Sequence, residues 1–94
     1  MSPLKVQDLD DKNIENTISN NKIVMLDFWA EWCGPCKQFA PIFEAAAQKN
    51  SDIIFGKVDT DKQQEIAASF EIKSIPTLAV FRDQTLIYHE AGAL

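Results

Sequence analysis

Cys33 and Cys36 are the only cysteines of the chain and stand two residues apart in Trp32-Cys33-Gly34-Pro35-Cys36. Thiols at this spacing can close a small disulfide and open it again, so the pair points to dithiol–disulfide exchange. The attacking species in such exchange is a thiolate. Pro35 sits where a helix can begin, which places Cys33 at a helix mouth. Free backbone N–H groups and the helix dipole favour a negative charge there. Cys36 lies one turn further in and is more sheltered. Cys33 is therefore the expected nucleophile and Cys36 the resolving thiol. Cys33 would attack a substrate disulfide, and Cys36 would then displace the captured substrate sulfur. The alternatives are a static disulfide or half of a zinc site. His89 is the one other plausible soft ligand, so a tetrahedral site within one subunit lacks its fourth ligand, and no metal is expected.

Asp27 is the second residue with chemical potential. It interrupts the otherwise apolar run Ile23 to Trp29. A carboxylate in a central strand is costly unless paired or protonated, and burial should raise its pKa. The bland alternative is an Asp near a strand end that reaches solvent. Lys57, in the next apolar run, is its candidate partner. Trp29 reads as core packing that shields the site. Phe39, Phe43, Phe55, Phe70 and Phe81 read as core.

The elements that must position these groups follow from patterning. Leu4 and Val6 suit a short first strand. Asp10 or Asp11 can cap a helix to about Ile18, with Ile14 and Ile18 on one face, and Asn20-Asn21 marks a turn. The run Ile23–Trp29 suits a strand covered on both sides, as in a parallel sheet. A helix from Pro35 to about Lys49 carries the stripe Phe39, Ile42, Phe43, Ala46, with Pro41 expected to kink it. Ile53 to Val58 is a strand. Asp59, Thr60 and Asp61 offer caps for a helix bearing Ile66, Ala67 and Phe70. Thr77–Phe81 and Leu86–Tyr88 flank a hairpin at Arg82–Thr85. The order β-α-β-α-β-α-β-β predicts one α/β domain over residues 1–94, with a mixed sheet and an antiparallel pair at its end.

Size and charge narrow the function classes. Ninety-four residues, 46% of them hydrophobic, can build a single core. A net charge of −5 with no basic patch argues against a nucleic-acid partner. No apolar stretch approaches the roughly 20 residues of a membrane span, and Met1–Asp11 lacks a secretory pattern. The expected compartment is the cytoplasm, where a lone CxxC is more often redox-active than a staple.

Asp27 through Lys37, with Ala40-Pro41, Ile75-Pro76-Thr77 and Ala91-Gly92-Ala93, resembles the thioredoxin family over almost the whole chain. The resemblance implies the thioredoxin fold and a protein disulfide reductase. It needs no bound cofactor and would be recharged by a flavin-containing thioredoxin reductase, with disulfide-containing proteins as substrates. It makes Asp27 the proton acceptor for Cys36 and the Ile75–Pro76 peptide cis. It also gathers Trp32, Gly34, Pro35, Ile75, Pro76 and Gly92 into a flat apolar docking surface. On sequence alone Pro76 is equally a simple strand-start proline. An isomerase-like protein and a redox-independent binding scaffold are the competing functions. Asp83-Gln84 departs from the glycine common at the family's hairpin turn. The chain also stops at Leu94, where the family continues into a C-terminal helix. Without that helix part of a sheet face is expected bare, which predicts self-association, domain exchange included, or lower stability.

Overall fold

Alternation along the second strand organises the molecule. In β2 (Ile23–Trp29), Val24, Leu26 and Phe28 point to one side, while Met25, Asp27 and Trp29 point to the other. The computed structural model describes residues 6–92, so Leu4 and Ala93 lie outside the described residues. Within them, β1 (Val6–Asp8), β2, β3 (Ile54–Asp59), β4 (Thr77–Arg82) and β5 (Thr85–Ala91) form one sheet in the order β1-β3-β2-β4-β5. The first three strands are parallel, and β4 and β5 are antiparallel additions. Helices α1 (Ile14–Ser19), α2 (Gly34–Lys49) and α3 (Gln64–Ser69) complete the expected α/β order.

The two sheet faces carry separate cores. On one, Val24, Leu26, Phe28, Val58, Ala79 and Phe81 join Ile14 of α1 and Ile66 of α3. Phe70, half-buried beyond α3, wedges between Phe28 and Phe81 with ring centroids 5.3 and 5.7 Å away. On the other, Phe39, Phe43 and Ala47 of α2 pack on Phe55 and Leu78. Gly56 permits close packing on the first face: a Cβ at that position would lie 2.5 Å from Leu9 Cδ1.

Three local expectations need correction. Ile42 is exposed rather than part of the α2 stripe, and Ala47 takes the buried position. The first helix starts at Ile14 with Asn13 at its N-cap, one turn later than expected, although the Asp10 carboxylate does accept from the Lys12 and Asn13 N–H groups and its carbonyl from the Ile14 N–H. Asp59 likewise spends its carboxylate on the Asp61 and Lys62 N–H groups, and Gln63 stands at the α3 N-cap without a side-chain bond. Pro41 interrupts the bond ladder of α2 without ending the helix.

The hairpin closes through Asp83 and Gln84, both at positive φ (50° and 70°). That is the pair of left-handed conformations a type I′ turn demands, which is why the usual glycine can be absent only at a cost. Every residue of β5 is exposed, including Leu86, Ile87 and Tyr88. Among the described residues no helix is long and apolar enough to cross a membrane.

Candidate active site

The site sits where β2 ends and α2 begins. Cys33 is the N-cap of α2 in an extended conformation, and Gly34 and Pro35 are its first helical residues. Proline fits there because the first-turn N–H groups have no intrahelical acceptor. Cys33 and Cys36 are joined in a disulfide. The Cys36 N–H points at Cys33 Sγ at 3.2 Å. A first-turn N–H aimed at a sulfur is an arrangement that also stabilises negative charge on it. Both cysteines are buried, at 4% and 2% exposure, so accessibility barely separates them. What separates them is position: Cys33 caps the helix, while Cys36 is already inside it.

Of the residues expected to form a docking surface, Ile75, Pro76 and Gly92 are brought together beside Cys33. The Ile75–Pro76 peptide is cis. It brings the Ile75 carbonyl oxygen to 3.9 Å from Cys33 Sγ, although the two are 42 residues apart in sequence. Half-buried Ile75 packs against Ala30, Cys33 and Cys36. Pro76 is buried, and its carbonyl accepts from the Gly92 N–H at 2.8 Å. Gly92 has φ +100°, a conformation side-chain-bearing residues rarely take. Gly34 and Pro35 are exposed on the rim, and nothing lies within 4 Å of where a Gly34 side chain would begin.

Trp32 is 70% exposed but not loose. Its indole N–H donates to Asp61 Oδ2 at 2.8 Å. Asp61 is thus the site residue that sequence reasoning missed: it reads as a helix cap, and no local pattern links it to a tryptophan 29 residues earlier. Thr60 braces the same loop, donating its N–H to the Trp29 carbonyl at 2.9 Å. Trp29, Glu31, Trp32, Lys37 and Asp61 line an open cleft beside the cysteines.

Asp27 is 0% exposed, and neither carboxylate oxygen has a hydrogen-bond partner among the described groups. Burial pushes its pKa up from 3.8 to about 6, with the nearby Lys57 charge pulling in the other direction. The strand-end alternative is therefore excluded. Lys57 is the in-register neighbour of Asp27 across the β2–β3 pair. The expected pairing is corrected in one respect: its ammonium sits over the Trp29 ring, 4.3 Å from the centroid, and makes no hydrogen bond to the carboxylate. Trp29 is half-buried against the cysteine cluster, more a lid than core. Among the described residues no group of three or more His, Cys, Asp or Glu side chains is placed to hold a metal.

The sequence matches the thioredoxin family profile over residues 5–94. A Streptomyces coelicolor relative is 52% identical over 87 residues, covering 93% of this chain and 65% of that protein. Thioredoxin C-3 of Corynebacterium nephridii is 42% identical, covering 98% of this chain and 64% of that protein. The chain thus spans slightly under two thirds of the length of these two relatives. Among solved structures, Plasmodium falciparum thioredoxin superposes with a TM-score of 0.90 at 34% identity, covering 94% of this chain and 87% of that one. The short form of spinach chloroplast thioredoxin f gives 0.91 at 28% identity, covering all of this chain and 88% of that one.

Proposed function

The chain belongs to the thioredoxin family, and from that premise we propose that it reduces protein disulfides through Cys33 and Cys36. The observation that carries the reading is the Cys33–Cys36 disulfide capping α2, with the Cys36 N–H on Cys33 Sγ and the Ile75–Pro76 loop against it.

In the reduced protein the Cys33 thiolate attacks one sulfur of a substrate disulfide. A Cys33–substrate bond forms, the substrate S–S bond breaks, and the second substrate sulfur leaves as a thiolate. The Cys36 thiol gives its proton to Asp27 and attacks Cys33 Sγ. The mixed disulfide breaks and the remaining substrate sulfur departs. Two electrons have passed from the protein dithiol to the substrate, and Cys33–Cys36 is again a disulfide. Asp27 suits the proton step because it titrates near 6, binds no other group and lies on the sheet face that Met25 shares with α2. Trp32, Gly34, Pro35, Ile75, Pro76 and Gly92 supply the docking surface. An extended substrate segment would pair with Ile75, whose N–H enters no hydrogen bond among the described residues.

A thioredoxin reductase is the proposed source of electrons, and the cytoplasm the proposed compartment, supported by family membership and by bacterial relatives. The exposed apolar strand β5 supports self-association at that edge. The test of the main reading is turbidimetric insulin reduction with dithiothreitol. The wild-type chain accelerates precipitation and Cys33→Ser does not. Equal rates end the reductase reading.

A further inference from the structure

Lys57 faces a choice that its position in the sheet makes unusually plain. Register sets it directly opposite Asp27, and alternation sets Trp29 two residues further along the same face of β2. A lysine beside a buried, unpartnered carboxylate has an evident ion-pair partner. Yet Nζ rests 4.3 Å from the Trp29 ring centroid, and both Asp27 oxygens stay without a hydrogen bond. The physical reason is desolvation. Asp27 is already fully enclosed, so reaching it would carry the ammonium away from water into the same enclosed space, at a desolvation cost borne by the lysine. The indole face lets the half-buried lysine lay its stem on apolar surface and its charge on a π-cloud near the rim.

We infer that Trp29 is a positioning residue for the proton step, holding the Lys57 ammonium off Asp27 so that the carboxylate keeps its affinity for the Cys36 proton. This rests on the reductase reading, in which Asp27 accepts that proton. A direct ion pair would stabilise the charged carboxylate and leave a weaker base. The other groups around Asp27 do not replace the tryptophan. Leu78 of β4, its other in-register neighbour, is apolar. Cys36 of α2 is held in the disulfide. Asp59 of β3, opposite Trp29, has Oδ1 committed to the Asp61 and Lys62 N–H groups.

The experiment follows the Asp27 carboxyl carbon by NMR through a pH titration of the oxidised chain, where no turnover is needed. Trp29→Leu lowers the Asp27 midpoint by about one pH unit, because the freed ammonium leans toward the carboxylate. Trp29→Tyr, which keeps an aromatic face, restores most of it. In a Lys57→Met background Trp29→Leu changes nothing. An unchanged midpoint in Trp29→Leu, or an equal change with and without Lys57, overturns the inference. Should Trp29→Leu not fold, the wild-type spectrum decides: the Lys57 ε-methylene protons lie upfield under the indole ring, and ordinary shifts there overturn it. In active protein the pH profile of insulin reduction moves with the Asp27 midpoint. Failure of the reductase reading registers separately, as equal insulin rates for wild type and Cys33→Ser.

Discussion

Replacing Asp27 with asparagine should stabilise the oxidised protein at neutral and alkaline pH and leave it unchanged in acid. The side chain is fully enclosed with no hydrogen-bond partner, and its pKa rises from 3.8 to about 6 on folding. The folded state therefore holds this proton more tightly than the unfolded chain does. Between those two values the folded state carries the larger proton load, so stability falls as pH rises, and the loss is complete above about 6. At about 1.4 kcal/mol per pH unit, that interval corresponds to a penalty of about 3 kcal/mol. Asparagine has nearly the same shape and no charge. Urea unfolding of both proteins, disulfide intact, should give equal stabilities near pH 3.5 and a gap that widens to about 3 kcal/mol by pH 8 in favour of Asp27→Asn. A gap independent of pH, or one in favour of the wild type at pH 8, refutes the reasoning, because it would mean the carboxylate is solvated or paired in the folded protein. The same variant should slow insulin reduction, since Cys36 would then lack its proposed proton acceptor.

Three further outcomes follow. Gln84→Gly should raise stability by about 0.5–1 kcal/mol in thermal or urea unfolding, because Gln84 holds φ at 70° in the hairpin turn where glycine meets no Cβ penalty. Asp61→Ala should free the Trp32 indole, lowering kcat/KM for insulin roughly two- to fivefold, equivalent to about 0.5–1 kcal/mol, with the rise confined to KM. Sedimentation should be concentration-dependent, and Ile87→Lys on β5 should return the chain to a monomer; a wild-type monomer at every concentration removes the self-association proposal.

The parts of this molecule legible in its sequence are those written in short-range pattern. The apolar run through β2 has the bounds expected of it, Ile23–Trp29, because a strand covered on both faces needs nearly every position apolar. The CxxC at a helix mouth is legible for the same reason: Pro35 and the stripe Phe39, Phe43 lie within a few turns of it. Ile42 misled because a helix touching a sheet buries a narrower stripe than its apolar residues suggest: Phe39, Phe43 and Ala47 are buried, and Ile42 is left exposed beside them. The Trp32–Asp61 bond is invisible to local pattern, since it joins segments 29 residues apart, and the approach of Ile75 to Cys33, 42 residues apart, is legible only through the family resemblance and not from spacing. The aim of Lys57 was equally hidden: strand pairing fixes where its Cα lies, but whether its ammonium chooses a carboxylate or an indole depends on the water each choice would displace.

Under the proposed proton step, that choice would also account for so costly a residue at position 27. A penalty of about 3 kcal/mol is a large share of the 5–15 kcal/mol that typically separates folded from unfolded states. Among the described residues the carboxylate accepts no hydrogen bond. A leucine there would pack against the same α2 face as Met25 and relieve the cost. What a leucine cannot do is take up and release a proton near neutral pH, as the proposed step requires of Asp27. An ion pair with Lys57 would relieve the cost as well, but by fixing a charge that the proposed proton step needs to come and go. On the proposed proton step, the unpaired state of Asp27 and the diversion of Lys57 onto Trp29 would be two sides of one requirement: the group must be enclosed enough to bind a proton and unpartnered enough to give it back.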